Sequence, residues 1–152
     1  MKRALFVAMG MLAASAAAAD RYQVVAPERL ANYWLLQSSS AAAANVPNSG
    51  VNLDAPTCAA VSYLVEKDGT TSHVKLERVV PQGDLGKVAV GIVAAMHFAP
   101  APSNMAKDAV YTYVIMPFNL PGAQSTNADD KAMRVRVIDA CKLDNFLQRK
   151  QS

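Results

Sequence analysis

Residues 59–80 constrain the fold more than any other part of the chain. Within 59–66, Val61, Tyr63 and Val65 alternate with Ala60, Ser62, Leu64 and Glu66, the period of a strand that gathers β-branched and aromatic residues on one face. Lys67-Asp68-Gly69-Thr70 follows, and Gly69 can take the positive φ of a tight turn. Residues 73–80 alternate again, with Val74, Leu76 and Arg78 on one side and His73, Lys75, Glu77 and Val79 on the other. Two alternating runs joined by an Asp-Gly turn predict an antiparallel hairpin.

The next segment supplies a cover for it. Pro81-Gln82-Gly83 ends the hairpin, Asp84 is placed to cap a helix, and Leu85, Val88, Ala89, Ile92, Val93 and Met96 recur at 3.6-residue spacing. Gly86 and Gly91 each weaken this helix by about 1 kcal/mol relative to Ala, so it depends on packing against a sheet. It ends by His97 or Phe98, ahead of Pro100 and Pro102. After a polar loop at 103–108, residues 109–120 hold the strongest strand signal in the chain, and Pro117 places that strand at a sheet edge. Residues 121–130 read as a polar linker, and Met133, Val135 and Val137, alternating with Arg134 and Arg136, as a short fourth strand.

Upstream, Pro27 and Glu28 suit a first helical turn, and Leu30, Tyr33, Trp34 and Gln37 lie at i, i+3, i+4, i+7. They predict an N-terminal helical arm over 20–37, which either closes the core or reaches for a partner. Residues 38–52 form a Ser/Ala/Asn-rich linker. The expected class is α+β: a small antiparallel sheet of three to four strands, one amphipathic helix packed on a face, and an N-terminal helix.

Residues 1–19 carry Lys2 and Arg3, a short apolar run and a small-residue stretch ending Ala17-x-Ala19, the pattern of a cleavable secretory signal. Read instead as a retained anchor, the apolar run is too short to cross ~30 Å of hydrocarbon. Lys2 and Arg3 are two of the 15 basic residues, so the remainder sets 13 against 12 acidic. Without a Lys/Arg cluster, the basic balance gives no footing for nucleic-acid binding. Export would carry Cys58 and Cys141 into an oxidising compartment, where they are expected to form a disulfide; the other reading is two small buried thiols that never meet. Closing that loop contributes about 4–5 kcal/mol in the chain-entropy model.

Four pieces now stand in order: Val65-Glu66-Lys67-Asp68-Gly69-Thr70 at the hairpin, residues 85–95 in the helix, Met96-His97-Phe98-Ala99-Pro100 after it, and residues 110–118 in the last strand. The set resembles the C-terminal domain of the TonB energy-transducer family, over residues 53–120, under half of the chain. The resemblance implies a periplasmic binding module in which a three-stranded antiparallel sheet carries a helix on one face. It implies further that the edge of the last strand accepts an extended peptide from an outer-membrane transporter by β-augmentation. Carried over to this chain, that edge is Val110, Tyr111, Thr112, Tyr113, Val114 and Ile115. Tyr111 and Tyr113 can equally be read as stacking on the sheet face. The chain departs from the family in having Met96 and His97 where an aromatic and a basic residue are usual, a signal and short linker in place of a membrane helix and Pro-rich spacer, and an extension over 121–152.

Catalysis finds little support. His73 and His97 are the only histidines and show no metal-ligand spacing, and there is neither a G-x-S-x-G nor a phosphate loop. No metal, cofactor or enzymatic activity is expected, and the partner is expected to be a protein or peptide. The alternatives are a structural or chaperone-like periplasmic protein using Tyr33-Trp34-Leu35-Leu36 as an anchor, and a small enzyme with Cys141 as nucleophile.

Overall fold

The computed structural model describes residues 21–39, 47 and 49–148. The predicted signal and most of the predicted linker lie outside the described residues. In chain order come strand β1 (Gln23–Val24), a 3-10 helix (Pro27–Asn32), β2 (Trp34–Ser38), β3 (Thr57–Val65), β4 (Thr71–Val80), helix α1 (Leu85–Ala94), β5 (His97–Pro100), β6 (Val110–Phe118), α2 (Ala128–Ala140) and a final 3-10 turn (Phe146–Gln148). The larger sheet has the order β1-β6-β3-β4, and β2 pairs with β5 in a second sheet of two strands.

The hairpin forms as its alternation requires. β3 pairs antiparallel with β4 on one side and with β6 on the other, Val61 lying opposite both Leu76 and Val114. Its odd-numbered residues, Ala59, Val61, Tyr63 and Val65, meet Ala89, Val93 and Met96 from α1 and the loop after it, with Val110, Phe98 and Trp34 completing the core. Burial pushes the Tyr63 hydroxyl well above its ordinary pKa, so the group is neutral where it lies beside Phe98, ring centroids 6.1 Å apart. A Cβ on Gly86 would lie 2.6 Å from the Leu76 side chain, so glycine lets α1 approach β4 closely.

β4 departs from simple alternation. The register shifts between Ala60↔Arg78 and Val61↔Leu76, leaving Glu77 as an extra residue, and shifts again between Ser62↔Lys75 and Leu64↔Ser72. The first bulge turns both Leu76 and Val79 to the core and sends Arg78 to the opposite face, where its guanidinium donates to Ala140 O and Lys142 O. The expected grouping of Val79 with Lys75 and of Arg78 with Leu76 is corrected accordingly.

Three other expectations change. The N-terminal helical element is a 3-10 helix ending at Asn32, and Trp34–Ser38 is a strand. Burial of Trp34, whose indole N–H donates to Asp108 O at 2.9 Å, and pairing with β5 outweigh the helical spacing. Residues 97–100, just after the helix, form a further strand, β5. Residues 128–140 form a helix where a fourth strand was expected: Asn127 caps it by accepting from Asp129 N–H at 2.8 Å, and Asp129 and Asp130 occupy its first turn. Finally, β6 lies inside β1, which pairs parallel to it at Gln23↔Val110 and Val24↔Tyr111.

The Asp-Gly turn fastens the two sheets together. Gly69 sits at φ 84°, its C=O accepts from Phe98 N–H at 2.8 Å, and a Cβ there would lie 2.0 Å from Phe98 O. Gly69→Ala is expected to cost about 2–3 kcal/mol in chemical denaturation, through backbone strain and withdrawal of β5. Asp68 accepts from the Thr70 hydroxyl and amide, bonds that lower its carboxyl pKa. That stabilisation is present above the unfolded carboxyl pKa and is lost as pH falls through the lowered folded value; Asp68→Asn should remove this acid-side dependence from a pH series of unfolding midpoints.

Candidate functional site

The face of the sheet opposite α1 is lined by Cys58, Ala60, Ser62 and Leu64 of β3 and by Tyr111, Tyr113 and Ile115 of β6. Cys58 and Cys141 are joined in a disulfide with their Cα atoms 6.0 Å apart. The bond anchors the C-terminal extension, in which α2 has no buried residue of its own, to a small cluster containing Ala60, Tyr113, Ile115, Val137 and Leu143. Beyond it Phe146 is buried, its ring 5.5 Å from Tyr111 and 4.7 Å from Tyr113. Tyr111 lies also 5.7 Å from Tyr22. Both tyrosines therefore pack on the sheet face, each aromatic contact contributing about 0.5–1.5 kcal/mol beyond its buried area.

A polar chain crosses the same face. The Tyr111 hydroxyl donates to Ser62 Oγ at 2.9 Å, and Ser62 Oγ–H donates to Glu77 Oε1 at 2.7 Å. Lys75 Nζ stands 3.6 Å from Glu77 Oε2, whose side chain is only 9% exposed. Sequence reasoning missed Ser62 and Glu77, because only the bulge in β4 swings Glu77 towards Ser62. Next to this chain a cavity of about 450 Å³ opens between Tyr22, Leu64, Val74 and Tyr111, with His73 and Lys75 also lining it.

The predicted peptide edge is divided in two. Gln23 N–H and Val25 N–H donate to Ala109 O and Tyr111 O, so the odd-numbered residues of β6 turn their backbone polar groups outward. β1 meets that edge only at Val110 and Tyr111. The Thr112 hydroxyl donates to Val25 O at 2.8 Å, and the chain then turns into the 3-10 helix. The outward backbone at Tyr113 and Ile115 follows by the two-residue period, and a cavity of about 230 Å³ lies there between Pro27 and Glu28 on one side and Leu143 and Phe146 on the other. Val110 and Thr112 are themselves buried, their side chains on the α1 face.

Among the described residues no cluster of three or more His, Cys, Asp or Glu could hold a metal ion, and His73 and His97 sit exposed on different strands. The Cys141 sulfur is committed to the disulfide and cannot serve as a nucleophile in this state. No helix among the described residues is long and apolar enough to cross a membrane. No family model, no curated protein and no solved structure matches the chain. The geometry is that of a small α+β domain with open sheet edges and a disulfide-bound C-terminal cover, an arrangement consistent with partner binding through an edge. Replacing both cysteines by Ala is expected to lower stability by about 4–5 kcal/mol and to expose Tyr111 and Tyr113, read by denaturation and by loss of the ring-current shifts from Phe146.

Proposed function

We propose that this chain is a periplasmic protein-binding module of the TonB C-terminal type, which acts by binding rather than catalysis. It accepts an extended peptide by strand addition along Val110–Ile115. The observation that carries this reading is the outer side of β6, where β1 stops at Tyr111 and a groove flanks Tyr113. Backbone pairing would supply affinity, and the side chains of the groove would select the sequence. A short peptide would pair from Tyr113 onward. A longer one would also take the places of Gln23 and Val24, which hold only two register positions.

The signal-like N-terminus and the disulfide support an exported protein. The ordered resemblance over residues 53–120 supports an outer-membrane transporter as the source of the peptide. Titrating the isotope-labelled chain with peptides from transporter plug segments should shift the amides of residues 110–115, together with those of 23–28. An absence of response at millimolar peptide, or shifts confined to other strands, would count against strand addition at β6.

A further inference from the structure

The groove at Tyr113 has a chemical character that backbone pairing does not require. Its volume, about 230 Å³, suits one long side chain. Pro27 and Leu143 give it apolar walls, and the rings of Tyr113 and Phe146, 4.7 Å apart, line it as well. Glu28 is the one charged residue among the described residues that line it.

Both walls are held in place. Pro27 and Glu28 open the 3-10 helix, and just before it Val25 O accepts from the Thr112 hydroxyl of β6. Leu143 and Phe146 belong to the extension that the disulfide anchors. The Glu28 carboxylate is exposed, and no described residue pairs with it. Two basic side chains next to these walls in the chain are engaged elsewhere: Arg29 lines another cavity beside Gln23 and Tyr33, and Lys142 is ion-paired with Asp139 at 2.7 Å. The groove therefore joins one uncompensated negative charge to aromatic rings and apolar walls. A lysine or arginine side chain matches every part, its methylene stem lying along Pro27 and Leu143 and its cationic tip drawn to the rings and the carboxylate. An acidic side chain would meet Glu28 as a like charge, and a short apolar one would leave the space unfilled.

Strand geometry determines which residue of a peptide arrives there. Directly opposite residues on neighbouring strands put their side chains on the same face, and Tyr113 lies on the face away from α1. The peptide side chain opposite Tyr113 enters the groove, and its two sequence neighbours turn to the other face. We propose that the groove is a selectivity pocket for a cationic side chain, so that the peptide added to β6 carries lysine or arginine opposite Tyr113. This requirement rests on the strand addition proposed above, and Glu28 is the residue that sets it.

The disulfide-bonded chain is to be titrated with a labelled transporter plug peptide in which Lys, norleucine and Glu replace each position in turn. At one position the Lys peptide is expected to bind about three- to tenfold tighter than the norleucine peptide in fluorescence anisotropy, and the Glu peptide more weakly than either. Glu28→Gln should remove most of that preference, and Glu28→Lys should reverse it, so that the Glu peptide binds best. Glu28 is exposed, so both variants should fold, which circular dichroism checks. Affinities indifferent to the guest charge, or a preference unchanged in both variants, overturn the pocket and leave strand addition standing. If no peptide of the set binds at millimolar concentration, strand addition itself fails, and the pocket with it.

Discussion

All nine residues of β3 are buried, and both of its long sides are paired. A strand in that position needs a cover on each face, and the rest of the molecule is arranged to provide the two. On one face the cover is α1, whose apolar stripe meets Ala59, Val61, Tyr63 and Val65. On the other face the residues are Cys58, Ala60, Ser62 and Leu64, smaller and more polar. Their cover is partial: the disulfide, the leucine and phenylalanine of the extension, and the tyrosines of β6.

The two covers differ in what holds them. α1 is secured by area, with Leu85, Val88, Ala89 and Val93 buried. α2 has no fully buried residue, so the extension depends on the disulfide and the small cluster round it, in which Val137 and Leu143 are partly buried, on Arg78 reaching Ala140 O and Lys142 O, and on Phe146. The bulge at Glu77 serves both layers. It turns Val79 into the core beneath α1, and it sends Arg78 and Glu77 to the opposite face, where they fasten the extension and the Ser62–Tyr111 pair.

What could be read from the sequence was whatever depended on near neighbours. The hairpin, its Asp-Gly turn and the amphipathic helix follow from periods of two and 3.6 that the chain displays within ten residues. β2 and β5 were hidden because each is defined by a partner more than fifty residues away, and Trp34 gives up helical spacing to be buried. The stretch Met133 to Val137 alternates convincingly over five residues, but among the described residues no strand pairs with it, while Asn127, Asp129 and Asp130 form a helix start that the short alternation masked. At the candidate site the cysteines and the strand over 109–120 could be picked out by residue type, while Val110–Ile115 as a peptide edge came from the family resemblance. The division of that run between β1 and a groove could not, since it depends on where residues 23–28 travel.

That route has a consequence for recognition. The groove at Tyr113 has one wall from the N-terminal arm and one from the C-terminal extension, the two parts of the chain that flank residues 53–120. A binding surface made by the central unit alone would present the whole outer side of β6 to any extended peptide. Here β1 occupies the first part and the disulfide holds Leu143 and Phe146 beside the second, so only a strand that can start at Tyr113, or displace two residues of β1, fits the edge. Main-chain pairing is nearly indifferent to sequence; shape at the two walls is not. On the proposed strand addition, selectivity would reside in the additions to the central unit, and the disulfide is what gives the second wall a fixed position.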